Sequence, residues 1–150
     1  MFKNRDEDTL SMALTKEVLH TVCASEDEMW EKAYQNLCDN TCLYGISQLM
    51  SEMIDVPIIS EEEEIMFVIT NKSGFRGASA ILNKTALKEF ADKRGVKRVF
   101  ILPSSIHECI LVPDNGDFTL EELSHMVADV NATEVAPQEQ LPNNAYIVEF

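Results

Sequence analysis

The hydrophobic period of this chain changes once, at the acidic run Glu61-Glu62-Glu63-Glu64, and that change limits what each side can become. Before it, apolar residues return three and four apart, the spacing of one helix face. Thr15 caps a short segment with Val18, Leu19 and Val22 on one side. Ser25-Glu26-Asp27-Glu28 is a capping box: the Ser25 hydroxyl accepts from an orphan amide, Glu28 reaches back, and three acids suit the positive helix end. Met29, Ala33 and Leu37, flanked by Trp30 and Tyr34, follow at helical spacing and are expected to face a core. Asp39-Asn40-Thr41 ends that helix, and Ile46, Leu49, Met50 and Met53 form a third stripe closed by Pro57.

After the acidic run the period becomes that of strands. Ile65-Met66-Phe67-Val68-Ile69 is β-branched and aromatic, and Asn71-Lys72-Ser73-Gly74 stops it as a turn. Gly77 to Leu82 reads as the returning strand of a hairpin. Leu87, Phe90 and Ala91 mark a helix that Gly95 closes in the left-handed conformation. Arg98–Pro103 and Glu108–Pro113 are strands, and Thr119-Leu120-Glu121-Glu122 is a second capping box before a helix whose buried side is expected to be Leu120, Leu123, Met126, Val127 and Val130. Ala145–Phe150 closes the chain as an edge strand. These signals predict an α+β fold: N-terminal helices, then a mostly antiparallel five-stranded sheet in the order β-β-α-β-β-α-β, with helices packed on one face. The reading is a single domain, 1–150, with a helical part over 9–57 and an α+β part over 65–150.

Charge is unevenly placed along a chain whose formal net charge is −14. Residues 71–98 form a basic island, including Lys88, Lys93, Arg94, Lys97 and Arg98, between acidic flanks. Such a net charge repels nucleic-acid phosphates and anionic lipid at long range, so neither nucleic acid nor membrane is the expected partner. No apolar run approaches the roughly 18–20 residues that cross a bilayer, and the charged start Lys3-Asn4-Arg5-Asp6 is unlike a secretory signal, so a cytoplasmic location is expected.

Several motifs carry candidate chemistry. Ser104-Ser105-Ile106-His107-Glu108 places hydroxyl, imidazole and carboxylate close together, yet a hydrolytic triad needs them in line. In an extended segment His107 and Glu108 project to opposite faces, and no glycines form a nucleophile elbow or oxyanion hole. The expectation is therefore structural, a turn whose hydroxyls cap backbone amides and whose His107 makes a fixed hydrogen bond. A small hydrolase using Ser105, His107 and Glu108 is the alternative. His20, Cys23, Cys38 and Cys42 approximate a structural zinc spacing, but the apolar content suffices for a core and the glycine-rich knuckles are missing. Free thiols are expected, with no metal and no cofactor. Gly74-Phe75-Arg76-Gly77 lacks the lysine and helix of a phosphate loop and reads as a turn, with Phe75 and Arg76 as a contact anchor for a protein.

Val68-Ile69-Thr70-Asn71-Lys72, Gly77-Ala78-Ser79-Ala80-Ile81-Leu82, Ile101-Leu102-Pro103-Ser104-Ser105-Ile106-His107-Glu108 and Asn131-Ala132-Thr133-Glu134-Val135 resemble a bacterial family classed as a domain of unknown function, common in gut anaerobes and their mobile elements. The resemblance covers residues 65–137 and corresponds to the C-terminal half of the longer family proteins. It implies a genuine fold and a phage or mobile-element origin, and no activity.

Together these readings lead to a non-catalytic acidic module that binds another protein. Its concrete form is an anti-CRISPR-like inhibitor on a host nucleic-acid-handling defence protein, with Glu61, Glu62, Glu63 and Glu64, or the C-terminal acids, standing in for phosphates. Besides the hydrolase, the remaining alternative is nucleic-acid or nucleotide binding through the basic island at 84–98.

Overall fold

The computed structural model describes residues 14–21, 25–53, 59–60 and 62–150, with side chains at all of these but 20, 52 and 53. Val22 and Pro57, expected to flank the early helices, lie outside the described residues. Five strands form one antiparallel sheet: Thr41–Gly45 (β1), Phe67–Asn71 (β2), Arg98–Pro103 (β3), Cys109–Pro113 (β4) and Tyr146–Glu149 (β5). Their spatial order is β1-β2-β4-β3-β5, so β5 is an edge, as its sequence suggested, and β1 is the other.

The fold is α+β, with five strands among the described residues, but one strand is not where the sequence placed it. Gly77–Leu82 does not return as a strand; Ala78–Leu82 is a 3-10 helix that runs into the helix Lys84–Arg94 (α4), with Asn83 accepting from the Ala86 amide at 3.1 Å as its cap. Alanine and serine carry little β preference, and the small side chains let this segment lie against β2. The missing strand is β1, inside what read as the helical part. Thr41-Cys42-Leu43-Tyr44-Gly45 pairs with the whole of β2, Thr41 opposite Asn71 and Gly45 opposite Phe67. A mixed, half-buried run set directly between two helices shows no strand period of its own.

The two sheet faces are both covered, which corrects the expectation of helices on one face. Alternation along the strands puts Phe67, Ile69, Val99, Ile101, Cys109 and Leu111 on one face, where they pack with Leu87, Phe90 and Ala91 of α4. Phe100, Leu102 and Val112 project from the other, against Leu123 and Val127 of the helix Leu120–Thr133 (α5). A central strand buried on both sides has to be continuously apolar, and β3 is, from Val99 to Pro103.

The N-terminal helices behave differently. Lys16–Thr21 (α1) and Glu26–Asn40 (α2) precede the sheet, and the Ser25–Glu28 capping box forms as the sequence indicates. Yet α2 buries none of its residues, so Met29, Ala33 and Leu37 do not join the core. The remaining helix, Ile46–Met53 (α3), follows β1 directly. Its first turn is closed by Glu64, whose carboxylate accepts from the Ser47 amide at 3.0 Å and the Ser47 hydroxyl at 2.5 Å. Gly45 makes room: a Cβ there would lie 2.5 Å from Glu64 Oε2.

Candidate functional site

Two motifs singled out separately in the sequence meet in space. The turn after β2 carries Phe75 and Arg76, and it docks on the turn between β3 and β4 that carries Ser105, His107 and Glu108. The Arg76 amide donates to Nδ1 of His107 at 3.2 Å, and the Phe75 and His107 ring centroids lie 5.3 Å apart. The Arg76 guanidinium sits over the Phe75 ring at 5.4 Å. Arg76 has φ +50°, in the left-handed region where a side chain with a Cβ is disfavoured. Surrounding bonds hold it there: Asn71 Nδ2 donates to the Phe75 carbonyl at 2.9 Å, and the Gly77 amide donates to the His107 carbonyl at 2.9 Å.

That carbonyl is the hub of the contact. It also accepts from the Thr70 hydroxyl at 2.7 Å, which ties the turn to β2. The approach leaves no space at Gly77: a Cβ would stand 2.2 Å from Thr70 Oγ1, 2.6 Å from the Asn71 nitrogen and 2.8 Å from the His107 oxygen. On its outer side His107 Nε2 lies 3.4 Å from a Glu139 carboxylate oxygen, and the Glu139 carbonyl accepts from the Ile106 amide at 2.9 Å. With Nδ1 accepting, the ring proton belongs on Nε2, facing Glu139. Glu139 comes from the loop after α5, and nothing local in the sequence marks it.

The serines are engaged elsewhere. Ser105 is buried; its hydroxyl donates to Glu108 Oε1 at 3.0 Å and accepts from the His107 amide at 3.0 Å. Ser104 reaches the same carboxylate oxygen at 3.4 Å. The hydroxyl-to-imidazole bond that would activate a serine is not among these contacts, and the imidazole directs its nitrogens to Arg76 and Glu139. Ser105, His107 and Glu108 are brought together, but as a turn brace. Next to Glu108, the Cys109 thiol is pushed up to about 12, chiefly by burial and then by the Glu108 charge.

The other candidates scatter. Glu64 is 3% exposed and spent on Ser47, so it cannot stand in for a phosphate; a carboxylate that closes a buried helix end has no surface to offer. Glu62 and Glu63 are exposed, with Glu63 accepting from the Ser60 hydroxyl at 3.1 Å, and Glu61 lies outside the described residues. In the basic island Arg94 donates to the Glu64 carbonyl at 2.9 Å and lies 4.9 Å from the Phe67 ring centroid. Arg98 pairs with Asp114 at 2.6 Å and Lys88 with Asp92 at 2.9 Å. Much of the island is thus answered inside the chain. Cys38, Cys42 and Cys109 are free thiols; Cys23 and the side chain of His20 lie outside the described residues, and no metal-holding cluster occurs among the described ones.

Fold and site together define an α+β protein with a braced polar turn presenting an aromatic and arginine tip. The chain belongs to DUF5688, a family of unknown function whose model matches residues 1–149. The match runs through the N-terminal helices as well as the 65–137 stretch that carries the resemblance. No curated protein and no solved structure matches the chain. No helix among the described residues is long and apolar enough to cross a membrane.

Proposed function

We propose that this protein is a non-catalytic binding module that holds another protein through the Phe75–Arg76 tip. The observation that carries this reading is the tip's construction: an exposed aromatic and arginine pair, with Arg76 at φ +50°, is fixed by the imidazole and carbonyl of His107. Left-handed backbone at a residue other than glycine costs about 1–3 kcal/mol and persists where surrounding bonds enforce it, most often at contact sites. Preorganised aromatic and arginine side chains are the commonest energetic anchors of protein interfaces.

In its narrower form, the partner is a host nucleic-acid-handling defence protein met in the cytoplasm, and the module is an anti-CRISPR-like inhibitor of mobile-element origin. The net charge of −14 supports a basic partner surface, with exposed acids such as Glu62 and Glu63 at its margin. The test places a photo-crosslinking residue at Lys72, beside the tip, and another at Asp129 on α5, in the native cell. The expected result is a discrete adduct from position 72 that disappears with Phe75→Ala plus Arg76→Ala, and none from 129. An adduct pattern unchanged by the double substitution overturns the tip as anchor. If the captured protein binds nucleic acid and this chain simultaneously, the inhibitor form fails.

A further inference from the structure

We infer that His107 is a proton-operated latch on the Phe75–Arg76 tip: the neutral imidazole holds the tip in its displayed shape, and a proton on Nδ1 releases it. This latch presumes the binding role proposed for the tip and adds its regulation. The two ring nitrogens face opposite kinds of group. Nδ1 accepts from the Arg76 amide at 3.2 Å, whereas Nε2 lies 3.4 Å from a Glu139 carboxylate oxygen. An amide N–H only donates and a carboxylate only accepts, so a proton taken from water onto Nδ1 sets donor against donor on one side and makes an ion pair on the other. The Arg76 bond is lost while the Glu139 contact strengthens. The ring keeps its place and lets go of the tip.

Charge around the ring does not override that geometry. The charged groups come from Glu139 in the loop after α5, Glu108 in its own turn, and Arg76 with Lys72 in the turn after β2; the 3-10 segment Ala78–Leu82 contributes no ionisable side chain. Glu108 is bound by the Ser104 and Ser105 hydroxyls at 3.4 and 3.0 Å, which leaves Glu139 as the carboxylate within ion-pair reach of the ring. Histidine is the side chain that changes charge between about pH 5 and 8. The His107 side chain is 21% exposed, so the proton arrives without the fold opening.

The released element is small. The Asn71 Nδ2 bond to the Phe75 carbonyl and the Gly77 amide bond to the His107 carbonyl, both 2.9 Å, use no ring nitrogen and survive protonation. Arg76 itself loses the bond that opposes its strained φ of +50°. Its guanidinium and the imidazolium would also share one aromatic ring: they lie 5.4 and 5.3 Å from the Phe75 centroid, and like charges that close repel. Acid therefore loosens a preorganised arginine, and the tip's grip on its partner weakens as pH falls.

The test follows the full chain, labelled with nitrogen-15, from about pH 8 to about pH 5. The Arg76 amide signal is expected to move in step with the His107 ring nitrogens, and their through-bond coupling to disappear. Protection of this amide from hydrogen exchange, taken against the intrinsic rate at each pH, falls about five- to tenfold, the worth of one hydrogen bond. His107→Asn puts a carbonyl oxygen close to the place of Nδ1, accepts at every pH and removes the step. Glu139→Gln keeps the step and moves it to lower pH, because the carboxylate that favours the imidazolium is gone. Far-ultraviolet circular dichroism confirms that each variant keeps its helices across this range. An Arg76 amide that stays fixed while the ring titrates overturns the latch, as does a ring that does not titrate in this range or an unchanged step in His107→Asn. None of these signals needs a partner, so they are read whether or not the tip binds. Photo-crosslinking from position 72 in cell extract at about pH 7.5 and about pH 5.5 then joins latch to binding: the adduct weakens in acid in the wild type and persists in His107→Asn. An adduct with the same pH dependence in both overturns the regulation, whereas an adduct unchanged by Phe75→Ala plus Arg76→Ala fails the binding role and leaves the resonance result standing.

Discussion

Single positions distinguish a steric requirement from a conformational one in this structure. At Gly77 the conflict is with neighbouring atoms, since a Cβ would meet Thr70, Asn71 and His107 within 2.8 Å. Gly77→Ala should therefore destabilise by about 2–3 kcal/mol, as overpacking of a close contact does. At Gly95 the surroundings are open and φ is +67°, so Gly95→Ala should cost nearer 1 kcal/mol. Urea midpoints of the two variants check the ranking. Arg76 supplies the converse case. Its left-handed backbone predicts that Arg76→Gly leaves stability unchanged or raised by up to about 1 kcal/mol while abolishing the position-72 adduct. A variant that loses both stability and adduct would mean Arg76 is a structural residue rather than a displayed one.

At the scale of elements, the two capping boxes link helix stability to pH. Backbone amides of Ser25 and Thr119 hold Glu28 and Glu122 below the usual carboxylate value of 4.5. A carboxylate lowered on folding contributes stability above its unfolded value and loses it as pH falls through the folded one. Helical signal at 222 nm should thus decline in acid below about pH 4.5, and less steeply in Glu28→Gln with Glu122→Gln; identical acid profiles would contradict the caps. These boxes were legible because their four residues are contiguous and their bonds local. So were β2, β3 and β4, whose β-branched runs are buried on both faces. The 3-10 segment Ala78–Leu82 was not, because its small residues fit either period, and β1 was hidden because Thr41–Gly45 is a mixed, half-buried run set directly between two helices. The exposure of α2 was also illegible: an amphipathic pattern says that a face needs covering and does not say by what.

For the molecule as a whole, Cys109 offers an internal gauge. It is fully buried in β4 and its thiol titrates near 12, so it holds almost no thiolate at neutral pH. A thiol reagent at about pH 8 should modify Cys109 only as fast as the sheet opens, and half-buried Cys38 and Cys42 sooner. Prompt labelling of Cys109 in the native protein would contradict the sheet order. The assembly of the site belongs to this scale as well. Phe75 and Arg76 were legible as a turn tip, and Ser105, His107 and Glu108 as a brace, because each set is local in sequence. Their union spans 31 residues between Arg76 and His107, and the Glu139 contact arrives from beyond α5; neither leaves a periodic trace. The central claim is that His107 braces the tip and does not activate a serine. Nitrogen-15 shifts of the His107 ring test it most directly: an unprotonated Nδ1 with a through-bond coupling to the Arg76 amide is predicted. A protonated Nδ1 with Nε2 accepting from a hydroxyl would contradict it.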